Sequence, residues 1–198
     1  MAEYDRSTAL LVVDVQNDFA DPEGSLSVRG GEEILSELNR QVREALAAGA
    51  IAVFTQDWHP EHTAHFRTDG GIWPVHCVRD TWGADLHPAL HVPPDAPIVR
   101  KGADGGDGYS GFGVRDPATG EVEATQLESL LRERGAERVL VAGLATDYCV
   151  KETVLDARRL GFETVVLLDG VRAVDLQPGD GDRAVERMRE AGAEIAER

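Results

Sequence analysis

Three residues in this sequence have the chemistry of a nucleophile, a base and a fixed positive charge. Cys149 sits in the turn Gly143-Leu-Ala-Thr-Asp-Tyr-Cys149, between an apolar run and a helical segment. Backbone N–H groups at a helix start point outward, favour a thiolate and can hold an oxyanion. A buried structural cysteine is the plain alternative; the second cysteine, Cys77, lacks this setting. Asp14 directly follows the apolar run ending at Val13. Partial desolvation there raises a carboxyl toward the range of a useful base, although a lone strand-ending Asp more often caps a turn. Lys101 is one of only two lysines, with Lys151, among 20 basic residues. A compact ammonium beside a thiolate and a carboxylate lowers the pKa of both.

A second constellation lies between Asp57 and His91, where all 6 histidines fall. Asp57 and His59 are two apart on a segment leaving a strand, so both can point to one side. One carboxylate with two or three imidazoles is a site for a first-row metal, such as Zn, Fe(II), Mn or Co. Spacing alone does not choose among His62, His65, His76, His87 and His91.

These groups need elements that bring them to one place. Thr8–Asp14 reads as a strand buried on both faces, Ile51–Gln56 as a second buried strand, and Ile98–Arg100, Arg138–Gly143 and Thr164–Leu168 as further strands. Helical spacing marks Glu32–Ala48, Leu127–Arg134, Asp147–Leu160 and Asp182–Ala191, and Glu194–Ala196 suits a short last strand. Apolar runs alternating with helices predict an α/β protein: a three-layer αβα, doubly wound, mostly parallel sheet of about six strands. The expected organisation is a single domain over 1–198. It carries a metal-binding loop region at 57–96 and a Gly- and Asp-rich loop at 102–124, with a hairpin turn at Pro117–Gly120. In such folds ligands bind off the carboxyl ends of the strands. Four strand exits there deliver Asp14, Asp57, Lys101 and Cys149 to one rim.

Composition narrows the partners. The 198 residues carry a formal charge of −16, which disfavours nucleic acid and anionic membranes as partners. The hydrophobic share of 42% and charged share of 28% are those of an ordinary soluble globule. Two cysteines rule out a disulfide framework and make a reducing, cytoplasmic setting the expectation. No signal-peptide pattern and no membrane-spanning run is expected. A homo-oligomer is only a base-rate expectation.

In order along the chain stand Val13-Asp14-Val-Gln-Asn-Asp-Phe19, Asp57-Trp-His59-Pro, Trp73-Pro-Val-His76-Cys, Lys101-Gly, Tyr109-Ser-Gly-Phe112 and Gly143-Leu-Ala-Thr-Asp-Tyr-Cys149-Val. This set resembles the nicotinamidases of the isochorismatase-like cysteine hydrolases over nearly the whole chain. The resemblance implies a catalytic triad of Asp14, Lys101 and Cys149, and metal ligands Asp57, His59, His65 and His76 around one divalent ion (Zn, Fe or Mn). His62 would stand behind the ligands. The resemblance further implies a cis peptide between Leu144 and Ala145, an oxyanion hole from the Ala145 and Cys149 N–H groups, and a substrate pocket of Phe19, Trp73, Tyr109 and Ala145. The implied reaction is hydrolysis of nicotinamide to nicotinate and ammonia through a thioester on Cys149, a step of NAD salvage. The loop 102–108 carries one more residue and two more acids than the pattern of bacterial members, and Tyr148 receives no role. The alternatives are another amidohydrolase of this superfamily acting on a ureido or N-carbamoyl substrate, an isochorismatase proper, which lacks the cysteine, and a non-catalytic binding module.

Overall fold

The computed structural model describes residues 4–106, 108–116 and 119–197. Its strands are β1 (Thr8–Val13), β2 (Ile51–Asp57), β3 (Ile98–Lys101), β4 (Gly113–Arg115), β5 (Val122–Ala124), β6 (Arg138–Leu144), β7 (Glu163–Arg172) and β8 (Glu194–Ala196). Its helices are α1 (Asn17–Ala20), α2 (Leu35–Ala47), α3 (Leu127–Glu133), α4 (Lys151–Arg159) and α5 (Asp180–Glu190). Six strands form one sheet in the order β3-β2-β1-β6-β7-β8, and every neighbouring pair in it is parallel.

The apolar runs have a simple consequence. All six residues of β1 are buried, because successive side chains point to opposite faces and both faces are covered. Leu10 and Val12 pack on one side with Leu38 and Val42 of α2, Phe54 and Leu140. Ala9, Leu11 and Val13 pack on the other with Leu127 and Leu131 of α3, Val154 of α4 and Met188 of α5. Fully burying each Leu or Val side chain contributes on the order of 1.5–3 kcal/mol relative to leaving it exposed.

From β1 the chain adds β2 and β3 on one side of the sheet, and β6, β7 and β8 on the other. The strand order therefore reverses between β1 and β6. A crevice opens at such a point outside the carboxyl ends of the two strands. Asp14 leaves β1 there and the turn 145–149 leaves β6 there.

Two expectations need correction. The segment 102–124 is not all loop, because β4 and β5 pair antiparallel within it; of the expected turn Pro117–Gly120, Pro117 and Ala118 lie outside the described residues. Strand β7 runs well past Leu168 to Arg172, with an irregular register opposite β6 between Val141 and Gly143. Cys149 lies near the start of a helical segment, as expected; its own turn, Thr146–Val150, is π-helical, with α4 following.

Candidate active site

The Asp14 backbone turns into the left-handed region at φ 48° as the chain leaves β1. Its carboxyl group meets the end of β2, where the Thr55 hydroxyl donates to Oδ1 at 2.6 Å and accepts the Asp14 N–H at 3.1 Å. Lys101 comes from β3, whose register sets it beside Asp57 of β2. Its ammonium lies 2.7 Å from Asp14 Oδ2, in contact with Asp57 Oδ1 and 3.7 Å from Cys149 Sγ. The Lys101 and Asp14 side chains are both 0% exposed. One oxygen or sulfur atom from each of Asp14, Asp57 and Cys149 lies within 4.8 Å of the others. That space is not a second cation site, since the lysine ammonium already fills it.

Burial sets the protonation balance of this group. Desolvation pushes the Asp14 carboxyl above the ordinary carboxylate value; the ammonium pulls the other way, and the charge of Asp57 adds to the rise. Desolvation also holds the Cys149 thiol well above its ordinary value, despite Lys101. Lys101 lowers both values, as expected, but full burial outweighs one cation that is shared with a second carboxylate, so both end above their ordinary values. For Asp57, burial is overcome by Lys101 and by the imidazoles, and its carboxyl stays well below the usual range. Lys101 is raised, since two carboxylates outweigh its own desolvation.

The second oxygen of Asp57 faces the histidines, with Oδ2 at 3.7 Å from His59 Nε2. His59, His65 and His76 each present a ring nitrogen, all within 4.8 Å of one another, and all three residues are buried. His59 stacks on His65 with ring centroids 5.0 Å apart and meets His76 edge-on at 5.2 Å. The two His59 nitrogens are buried and have no hydrogen-bond partner. Such orphaned polar atoms are costly unless something binds them. His76 Nδ1 donates to the Pro74 carbonyl at 2.7 Å, which leaves the Nε2 lone pair facing inward. Burial lowers the His76 pKa to about 4, so the ring is neutral at pH 7, as a metal ligand must be. The donor set of imidazoles with one carboxylate fits a divalent transition ion. Gly102 makes room for it: at φ 77°, a Cβ there would lie 2.8 Å from His59 Cε1 and Nδ1. His62 does not stand behind the ligands. Its side chain is 81% exposed and pairs with Asp69 at 3.3 Å.

Between the two constellations is a small cavity of about 30 Å³ lined by Phe19, Trp73, Tyr109, Ala145, Cys149, His65, His76 and Asp57. All four expected pocket residues are therefore at this wall. Leu26, Val28, Val174 and Tyr148 complete it. Trp73 Nε1 donates to the Tyr109 hydroxyl at 2.8 Å, and the Tyr148 ring meets Trp73 edge-on at 4.8 Å. The peptide between Leu144 and Ala145 is cis, and the Ala145 carbonyl accepts the Tyr148 and Val150 N–H groups at 3.1 Å each.

Several supporting residues were not singled out from the sequence. Gln16 clamps the Asp57 backbone, donating to its carbonyl at 2.7 Å and accepting its N–H at 2.8 Å. Asp18 accepts the Cys77 N–H at 2.7 Å and the Ser25 N–H at 3.0 Å. Asp147 accepts the Val174 and Asp175 N–H groups at 2.9 and 2.8 Å, tying the Cys149 turn to the exit of β7. Thr55 is the fourth. The buried polar residues after Asp14 are thus occupied in pinning loops, which their run of uncapped polarity after an apolar strand could have signalled.

The isochorismatase domain family matches this sequence over residues 8–198. The chain belongs to that family. Among isochorismatase-family relatives it is 38% identical to the nicotinamidase of Escherichia coli (strain K12), over 94% of this chain and 93% of that one. The crystal structure of pyrazinamidase of Pyrococcus horikoshii in complex with zinc matches with a TM-score of 0.87 and 40% identity, over 97% of this chain and 99% of that one. The crystal structure of PnC1 from L. infantum in complex with nicotinate matches with the same TM-score and 36% identity, over 99% and 96%.

Proposed function

We propose that this isochorismatase-family protein is a metal-containing nicotinamidase that hydrolyses nicotinamide to nicotinate and ammonia through a thioester on Cys149, serving NAD salvage. The observation that carries the reading is the position of the Lys101 ammonium among Asp14, Asp57 and Cys149, with three buried imidazoles on the far side of Asp57. The nicotinamidase and pyrazinamidase relatives, one holding zinc and one holding nicotinate, support it.

In this reading Asp57, His59, His65 and His76 hold one Zn, Fe or Mn ion. When bound, the ion supplies an electrophilic anchor for the ring nitrogen of the substrate and so orients the ring. Phe19, Trp73 and Tyr109 enclose the ring and exclude water. Asp14 takes the thiol proton as Cys149 attacks the amide carbon. The raised Asp14 and Cys149 values suit this order: the thiol is deprotonated on attack, by a base matched to it. Lys101 keeps the growing negative charge of the pair compensated. The Ala145 and Cys149 N–H groups hold the oxyanion; losing one such donor typically costs about 3 kcal/mol. Asp14, now protonated, gives its proton to the departing amine, which leaves as ammonia. Water then loses a proton to Asp14 and its oxygen adds to the thioester. Collapse releases nicotinate, and the sulfur recovers its proton from Asp14.

The test is ammonia release from nicotinamide by the purified protein, with and without a chelator. Release that stops on chelation and returns with Zn, Fe or Mn is expected. A metal-loaded protein that releases no ammonia overturns the reading.

A further inference from the structure

Thr55 makes two hydrogen bonds to one residue, and together they fix the direction of its hydroxyl proton. Thr55 Oγ1 accepts the Asp14 backbone N–H at 3.1 Å. Its own proton is then donated to Asp14 Oδ1 at 2.6 Å. Thr55 is fully buried, and its side chain cannot swing away. A β-branched residue in a strand is stiff at χ1, and its Cγ2 lies 3.3 Å from where a Cβ on Gly111 would stand. Asp14 has no such intrinsic stiffness. It follows the end of β1 at a positive φ, and its terminal torsion is broad, so the side chain alone does not fix the plane of the carboxyl group. Thr55 removes that freedom by engaging Oδ1. Oδ2 is left buried, 2.7 Å from the Lys101 ammonium, with no other protein group bonded to it. An oxygen held in that state has a lone pair available for a proton.

We propose that Thr55 is a positioning residue for proton transfer: its hydroxyl holds the Asp14 carboxyl so that Oδ2 is the oxygen that exchanges the proton with Cys149. The bond Thr55 O–H···Oδ1 persists throughout. The S–H bond of Cys149 breaks as the Oδ2–H bond forms, and the reverse occurs when the sulfur recovers its proton. This rests on the reading of Cys149 as nucleophile and Asp14 as base, but not on the identity of the amide substrate.

The test compares Thr55→Val, which keeps the shape and removes the hydroxyl, with Thr55→Ser, which keeps the hydroxyl. Two rates are read: steady-state hydrolysis of nicotinamide, and alkylation of Cys149 by iodoacetamide, located by peptide mapping. In Thr55→Val, kcat is expected to fall about 10- to 100-fold, the range for a lost hydrogen bond to a charged group, with KM nearly unchanged. Alkylation of Cys149 slows in parallel, and Thr55→Ser restores both. A hydroxyl with a purely structural role would lower the melting temperature of Thr55→Val and leave kcat and alkylation at parent values; that result overturns the proposal. Thr55→Ala, assayed below its own melting temperature, carries the same expectation if the valine variant does not fold. If the parent releases no ammonia from nicotinamide, the substrate reading fails alone. The alkylation rates still decide the role of Thr55.

Discussion

Replacing Lys101 with methionine keeps an unbranched side chain one atom shorter and removes the one cation that two buried carboxylates share. In the parent, Asp14 and Asp57 present oxygens within 4.8 Å of each other around the ammonium. Two unit charges at that distance repel by about 3 kcal/mol at an effective dielectric near 20. Removing one partner of a buried ion pair costs a similar amount, about 3–5 kcal/mol. For a domain of this size, a loss of about 3 kcal/mol lowers the melting temperature by roughly 6–12 °C. The variant relieves part of the strain by binding a proton on Asp14, whose carboxyl is already raised by burial. That leaves Asp14 without its function as a base, which is worth about 10²- to 10⁴-fold in rate. The direction with pH follows. A carboxyl whose value in the folded state lies above its unfolded value stabilises the fold fully below the unfolded value and loses that stabilisation as pH rises through the folded one. The stability gap between parent and Lys101→Met, measured by thermal melts of the metal-free proteins, is therefore expected to widen as pH rises from acid to neutral. Adding Asp14→Asn to Lys101→Met recovers much of the melting temperature and none of the activity. A single variant with the parent's melting temperature, or a gap that narrows toward neutral pH, would refute the shared-cation account.

Three further outcomes are expected. The acid limb of kcat/KM reports Asp14, which must be a carboxylate to accept the thiol proton; because burial raises it, activity falls as pH falls at a pH above the ordinary carboxylate range, and a limb at or below that range contradicts the assignment. Cys149→Ala abolishes turnover by metal-loaded protein while metal content stays at parent level, and acid-quenched parent shows the acyl adduct on the Cys149 peptide; an adduct on Cys77, which is fully buried beneath the loop held by Asp18, contradicts the route. Gly102→Ala drives a methyl group against His59 and lowers metal content after dialysis, as His59→Ala does more completely, with elemental analysis as the measure; unchanged metal in both variants means that His59 is not a ligand.

The parts of the fold legible in the sequence were those with a local cause. Unbroken apolar runs announced β1, β2 and β6, because a strand covered on both faces has no polar alternation, and the helical stripe Leu35, Leu38, Val42 announced α2. Their exits then placed Asp14, Asp57 and Cys149 on one rim. The hairpin of β4 and β5 announced only its turn, at Pro117–Gly120: Val122, Glu123 and Ala124 are all exposed, so no burial pattern marks the strands. The pairing of Asp57 with Lys101 depends on β3 lying beside β2 in a particular register, a fact that neither segment contains alone. Thr55 read as one more strand residue, since only the approach of Asp14 from a neighbouring strand gives its hydroxyl a purpose. The sign of the Asp14 and Cys149 shifts needed the depth of burial, which composition does not supply. Tyr148, to which the resemblance gave no role, lines the cavity from the π-helical turn.

The position of Asp57 explains why the two constellations occur side by side. One of its oxygens contacts the Lys101 ammonium and the other faces His59, so one carboxylate belongs to both groups. Its charge is secured from both sides: Lys101 and the imidazoles together hold it ionised despite complete burial. Asp14 accepts from Thr55 at one oxygen and faces Lys101 at the other, but burial outweighs both and pushes it up. Two carboxylates around a single ammonium are thereby separated into one that stays charged and one that can gain and lose a proton. The rim of the sheet thus leaves the charge on Asp57 and assigns the proton to Asp14, whose burial outweighs its contacts with Thr55 and Lys101.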